Sequence, residues 1–228
     1  LSHFKGHECT GFGGALKNIG MGCGSRAGKM EQHNGGKAEV IAEACVGCRK
    51  CAKECAHDAI TFNERKASID MDKCVGCGRC IHACHAEAIH QPNDSANEDL
   101  CKKIAEYAKA VVSGRPQFHI NIVNQVLPLC DCHGDNDAPI IPDVGMFASF
   151  DPVALDQACA DACNAQPAYQ NSLLGDNLIA HGAHHHHGVI AHDGDNFDMT
   201  CPNTDWRVTL DHAEKLGVGE RAYELIEI

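Results

Sequence analysis

The sequence predicts a mixed α/β chain, between the α+β and α/β classes, interrupted by a small cysteine-rich insert. Three observations predict this. Cysteines at 45, 48, 51 and 55 recur at 74, 77, 80 and 84, and each half reads C-x2-C-x2-C-x3-C. The halves repeat at an offset of 29 residues, with identity at Cys45, Val46, Gly47, Cys48, Cys51, Cys55, Ala59 and Ile60. On both sides of them the apolar pattern moves between the period of a helix and that of a strand. The expected division is 1–40 (a glycine-rich first part), 41–91 (the insert) and 92–228 (the remainder).

The cysteine run is the ligand pattern of a bacterial two-[4Fe–4S] ferredoxin. Three cysteines spaced by three wrap one cubane. The fourth sits a helical turn later, points away, and serves the other cluster. One cluster is thus expected on Cys45, Cys48, Cys51 and Cys84, the other on Cys74, Cys77, Cys80 and Cys55. Gly47 and Gly76 let backbone N–H groups approach the sulfurs. Structural zinc does not need a third and fourth cysteine at this spacing. The proline usual after the fourth cysteine is replaced by Ala56 and His85.

Residues 1–36 read as mostly loop, with a short helix near 15–19. The Gly28-Lys29 pair fails as a phosphate loop, because Cys23 stands where a glycine is needed and Met30 where Ser or Thr is needed. After Cys55, segments 59–62 and 67–70 form a hairpin around 63–66. Residues 91–97 are a polar linker. From 97 to 112, Leu100, Ile104, Tyr107, Ala108 and Val111 share a helical face. Strands are expected within 118–127 and 140–150. Asp151-Pro152 starts a helix as N-cap and first residue, and it runs to about 164. Residues 165–200, with His181 and His184 to His187, read as loop. A helix over 206–216 is stopped by Gly217, and 222–228 reads as a final strand.

The 19 basic against 31 acidic residues give a formal charge of −12, without a Lys/Arg-rich stripe. Nucleic-acid binding is disfavoured. No apolar run is long enough to span a membrane. Sixteen cysteines, eight of them assigned to clusters, point to a reducing, cytoplasmic setting. The chain begins at Leu1 rather than Met, which leaves export open.

The chain resembles the iron–sulfur-binding members of the domain-of-unknown-function 362 family. The matching stretches are LSHFKGHECTGFGGALKNIGMGCGSRAGK at 1–29, the two cysteine runs, AEYA at 105–108 and CDC at 130–132. PIIPDVGMFASFDPVALDQA at 139–158 and DWRVTLDHAEKLGVG at 205–219 also match. The resemblance implies an α/β domain interrupted by a two-cluster ferredoxin insert, and the C-terminal portion of a longer protein. Cys9 departs from the aliphatic residue expected there, Cys201 from a His, and Cys163 is unusual.

Eight cysteines remain. Soft thiolates suit zinc, copper(I) or a further iron–sulfur centre. A third metal site or cluster is expected on Cys23, Cys130, Cys132 and Cys159, with His3 or His7 nearby. Cys9, Cys163 and Cys201 form a second group. Three functions fit. The first is electron transfer with a redox partner protein. The second is a redox enzyme with its site near Cys130–His133, using His3, His7, Asp131 and His133. The third is a metal-binding assembly protein, for which a homo-oligomer is the natural form. The complete ligand run favours the first.

Overall fold

The computed structural model describes residues 1–33, 37–74, 76, 78–90, 96–132 and 136–228. The first half of the chain forms β1 (Ser2–His3), β2 (Lys5–His7), β3 (Gly11–Gly13), α1 (Ala15–Gly20), α2 (Arg26–His33), β4 (Glu39–Val40), α3 (Lys50–Glu54), β5 (Ile60–Asn63) and β6 (Lys66–Ile69). There follow α4 (Arg79–Ala83), β7 (Ile89–His90), α5 (Ala96–Val112), β8 (His119–Val123), β9 (Gly145–Ser149) and α6 (Pro152–Asn164). The last elements are β10 (Ala168–Tyr169), α7 (Leu173–Ala180), β11 (Val189–Ile190), α8 (Asn196–Thr200) and α9 (Arg207–Lys215). The architecture is mixed α/β with small sheets. Two compact units emerge: Leu1–Cys23 with Cys101–Ile228, and Gly24–Leu100. Among the described residues no helix is long and apolar enough to cross a membrane.

The first unit is built on β8. Strand β1 joins it in parallel, with Ser2 opposite Asn121, and β9 joins it antiparallel, with Asn121 opposite Phe147. Helix α6 packs on this sheet. Its start obeys the sequence: the Asp151 carboxylate accepts from the N–H groups of Val153 and Ala154, and Pro152 has no N–H to satisfy. One turn later Asp156 is fully buried and accepts from Ala15 N–H at 2.6 Å, Leu16 N–H at 2.9 Å and the Asn121 amide at 2.8 Å. It supplies the N-terminal cap that α1 lacks, because Gly14 has no side chain to offer. A Cβ on Gly14 would lie 2.2 Å from the Asp156 carboxylate, so only glycine allows the approach.

The aromatic residues are few but gathered. Phe4 and Phe12 stack at 4.7 Å, and Phe12 lies 5.4 Å from Phe197 and 5.3 Å from Trp206. Phe197 sits on α8, inside the 165–200 stretch that the sequence reads as loop. That reading is corrected here: α7 and α8 are held by the Ser172 and Asp195 N-caps and by burial of Leu174 and Phe197. Of the stretch 1–36, the described residues 1–33 likewise hold β1 to β3 and α2 rather than mostly loop. Strand β8 is shorter than 118–127, because the chain turns at Gln125, whose φ is +45°, and β9 takes only the second half of 140–150. The strand expected at 222–228 is not formed. The segment is exposed and pairs with no ladder, although Tyr223 Oη donates to Asp161 at 2.8 Å.

The second unit repeats its own geometry at the sequence offset. Helices α3 and α4 begin after left-handed residues, Arg49 at φ +63° and Gly78 at φ +69°. Gly47 and Gly76 share φ values of +70° and +73°. Val40 pairs with Ile89 and Ile60 with Ile69, so the two ribbons, β4 with β7 and β5 with β6, interchange under the repeat. The expected hairpin across 59–70 is present as β5 and β6. Most of the polar stretch 91–97 lies outside the described residues.

Burial pushes the Asp156 carboxyl up to about 6, against the hydrogen bonds from Leu16, Ala15 and Asn121. The folded chain therefore holds that proton more tightly than the unfolded chain. The stability it contributes is fullest below the ordinary carboxylate value and is lost as pH rises through about 6. Between pH of about 4 and 7 the wild type should lose about 3 kcal/mol relative to Asp156→Asn. Denaturant unfolding of both proteins across that range checks this, and equal pH slopes would contradict it.

Candidate functional site

Two cavities of the 24–100 unit gather the repeated cysteines. Cys45, Cys48 and Cys51 line one of them, and the fourth thiol there is Cys84 from the other run. Cys74 and Cys80 line the second, together with Cys55 from the first run. Cys77 lies outside the described residues. The exchange follows from local structure. The third cysteine of each run, Cys51 or Cys80, lies in the single turn of α3 or α4, and these turns end at Cys55 and Cys84, whose extended backbone turns the thiol away from its own run.

Backbone N–H groups point at these sulfurs. Ala59 N–H lies 3.4 Å from Cys55 Sγ, and its repeat partner Ala88 lies 3.3 Å from Cys84 Sγ. Ala67 N–H lies 3.4 Å from Cys45 Sγ. The Ala67 and Gly47 N–H groups hold the Cys45 thiol below its ordinary value, whereas burial raises that of Cys51. Around the thiols much of the wall is small or apolar, including Ala86, Ala88 and Ile89 at one site and Ala38, Ala59 and Ile69 at the other, with Arg49 at the first and His57 and Arg79 at the second. Such a lining suits a compact inorganic group held by four thiolates, with N–H donors compensating its charge.

The same unit has a larger, open cavity of about 730 Å³. Arg26 and Lys29 from α2, Lys50 and Lys53 from α3, and Arg79 and His85 surround the carboxylate of Glu54. Glu54 pairs with Arg79 at 3.0 Å. A locally basic recess thus exists in a chain of net charge −12, and it favours anionic visitors.

A second polar constellation lies in the other unit, where the β2–β3 hairpin meets the loop after β8. Gly6 N–H donates to Leu127 O at 2.8 Å, and Cys130 N–H donates to Glu8 Oε2 at 3.2 Å. Lys17 Nζ stands 2.9 Å from Cys130 Sγ. Burial opposes ionisation of Cys130, but bonds from His7, Lys17 and the Cys132 backbone outweigh it and bring the thiol down to about 5. Burial pushes Cys9 up to about 11, with Glu8, Cys201 and Cys130 adding to the effect. Burial also raises Cys201 to about 11, with Glu8 contributing. Asp131 accepts from His3 at 3.0 Å and lies 3.4 Å from Lys5, a lysine only 3% exposed.

Of the third set expected from sequence, the structure brings together Cys130 and Cys132 and not the other two. Cys23 is exposed after α1. Cys159 is buried on α6, where it accepts from Asn121 at 3.5 Å, and burial raises its thiol well above the ordinary value. In the second expected group, Cys9 lies near Cys201, while Cys163 is buried beside Cys159. Of the residues named for an enzyme site, His3 pairs with Asp131 at 3.0 Å, His7 lies 3.8 Å from Glu8, and His133 lies outside the described residues. Sequence reasoning did not single out Lys5, Lys17 or Glu8. Their only sequence signal is proximity to His7 and Cys9. The His184–His187 run is exposed or half-exposed and forms no close ligand grouping among the described residues.

The model of a protein family described as a domain of unknown function, DUF362, matches residues 1–161. No curated protein and no solved structure matches the chain.

Gly47 and Gly114 share φ +70°, but a Cβ on Gly47 would lie 2.3 Å from Arg65 O, whereas one on Gly114 would meet nothing within 4 Å. Gly114→Ala should cost about 1 kcal/mol for the backbone alone, and Gly47→Ala a further 1–3 kcal/mol, roughly, for the clash. Denaturant unfolding of the two variants measures the difference. Equal losses would show that the cysteine loop yields without strain.

Proposed function

We propose that this chain, which belongs to the DUF362 family, is an electron-transfer protein whose 24–100 unit is a ferredoxin-like insert for two [4Fe–4S] clusters. One observation carries the reading: each cavity combines cysteines of one run, Cys45, Cys48 and Cys51 or Cys74 and Cys80, with the fourth cysteine of the other. Cys45, Cys48, Cys51 and Cys84 would hold one cluster, and Cys74, Cys77, Cys80 and Cys55 the other. When bound, each cluster supplies a one-electron couple, its potential set by burial and by N–H donors to sulfur. The chain's own residues do the rest. Ala59, Ala67 and Ala88 present N–H groups to the thiolates. Small apolar walls limit water at the thiolates.

The basic recess supports a redox partner that presents an acidic face. Lys50, Lys53 and Arg79 lie on the same two helices that deliver Cys55 and Cys84. A second reading, a redox enzyme, is favoured by the convergence of His3, Lys5, Asp131 and Cys130 in the other unit. It requires a small-molecule substrate there, which a carrier does not.

Anaerobically prepared chain should contain about eight iron atoms and as many sulfides. Cys55→Ser should roughly halve both, and the surviving cluster's reduced electron-paramagnetic-resonance signal should lose its spin–spin broadening. Absence of iron and sulfide, or zinc on those thiols, would overturn the reading.

The recess makes a separate prediction. Lys50→Glu with Lys53→Glu should slow reduction by anionic dithionite about tenfold at low salt. Reduction by a cationic viologen should not slow. Stopped-flow absorbance checks both, and equal effects on the two reductants would remove the steering role.

A further inference from the structure

The hairpin between β2 and β3 and the loop after β8 meet in a way the electron-transfer reading does not use. His7 is 2% exposed and ends β2, so Glu8 and Cys9 fall in the tight turn that returns to Gly11. One ligand atom from each of His7, Glu8 and Cys9 lies within 4.8 Å of the other two. Cys9 N–H donates to His7 Nδ1 at 3.1 Å, which orients the ring. The other loop is pressed onto this turn. A Cβ on Gly6 would stand 2.5 Å from Pro128 O, so the backbones touch without a side chain between them. The contact brings Cys130 to the hairpin: its N–H donates to Glu8 Oε2 at 3.2 Å, and His7 and Cys132 are close enough to act on its thiol.

We infer that Cys9, Cys130, Cys132 and His7 form a tetrahedral site for a zinc-like divalent metal ion, separate from the cysteines of the 24–100 unit. Donors around one zinc stand about 3.3–3.8 Å apart, given bond lengths of about 2.0–2.3 Å. His7 and Cys9 already lie within 4.8 Å of each other, and Cys130 stands on the loop whose backbone N–H donates to Glu8 Oε2 at 3.2 Å, so rotations of the Cys130 and Cys132 side chains complete the set. Three sulfurs and one imidazole form a common structural zinc set. The preference of soft thiolates for such ions excludes calcium and magnesium.

Charge supports the assignment. Three thiolates around a divalent ion leave one net negative charge in a largely buried place. Lys17 Nζ, 2.9 Å from Cys130 Sγ, and buried Lys5 behind it offset that charge. Two buried or half-buried ammonium groups at one place need anionic neighbours; Asp131 and Glu8 are carboxylates there, and a thiolate at Cys130 adds to them. Glu8 and Cys201 flank the site and are left outside the ligand set. Cys23 and Cys159 are outside it by position.

The inference does not rest on the cluster assignment. Its test uses the full chain, prepared anaerobically and given zinc alone in slight excess before desalting. The wild type should retain about one zinc per chain. Cys9→Ser, Cys130→Ser and His7→Gln should each lower zinc to background, while iron and sulfide stay at the wild-type level. Cys23→Ser and Cys201→Ser should keep the zinc. A variant-free measurement runs beside this: zinc should protect Cys9 and Cys132 from alkylation, read by peptide mass spectrometry, while exposed Cys23 stays reactive. Zinc that survives in Cys9→Ser and Cys130→Ser overturns the site, as does alkylation of Cys9 and Cys132 unchanged by zinc. Zinc lost with Cys201→Ser but retained with His7→Gln overturns the ligand set. Failure of the cluster reading would appear instead as missing iron and sulfide in every sample.

Discussion

The 24–100 unit depends on one geometric constraint: a thiol at the end of a one-turn helix cannot point back into the loop that precedes the helix. Cys55 and Cys84 therefore leave their own runs and complete each other's cavities. Every other regularity of the unit follows from satisfying that exchange twice. The left-handed residues at Arg49 and Gly78 start the two helices alike. The ribbons interchange so that Val40 with Ile89 mirrors Ile69 with Ile60. Even the N–H groups of Ala59 and Ala88 reach their sulfurs at nearly the same distance. Short helices and two-stranded ribbons are marginal by themselves. A unit made of them has a small apolar core, here Ala38, Cys51, Ala67 and Ile89, and a bound inorganic group at each cavity would add the cohesion such a core lacks.

The other unit solves a different problem, the close approach of backbones. Asp156 ties α6 to the start of α1 and to Asn121 on β8, and glycine at 14 leaves room for it. Glycine at 6 lets the hairpin meet the 127–130 backbone. The glycine-rich opening of the chain is thus a packing device rather than a phosphate loop. One consequence is chemical: it places Cys130 beside His7 and Lys17, residues more than a hundred positions away.

What could be read in advance was what is encoded locally. Asp151-Pro152 announced α6, the apolar stripe from Leu100 to Val111 announced α5, and Gly217, at φ +71°, ended α9. The cysteine spacing carried its repeat into the fold. Elements stabilised by remote partners were not legible. Helix α8 is five residues long and exists because Asp195 caps it and Phe197 reaches the aromatic cluster. The segment 222–228 has the alternation of a strand but no edge to join. The grouping of Cys9 with Cys130 depends on β1 lying parallel to β8, a pairing that two residues of β1 cannot signal. Cys159, by contrast, fell on a buried helix face because its i, i+4 relation to Cys163 marks the core as readily as a metal.

Both units set basic side chains against an acidic average. With 31 acidic and 19 basic residues, the chain should repel anions on average. Yet five of its Lys and Arg side chains line one recess of the 24–100 unit, and two more lysines surround Cys130. Cations on the elements that carry cysteines are what thiolate-bound centres would require, because several sulfurs around one metal group leave net negative charge. A uniformly acidic surface would make those thiolates costly to ionise. Local basicity lowers that cost.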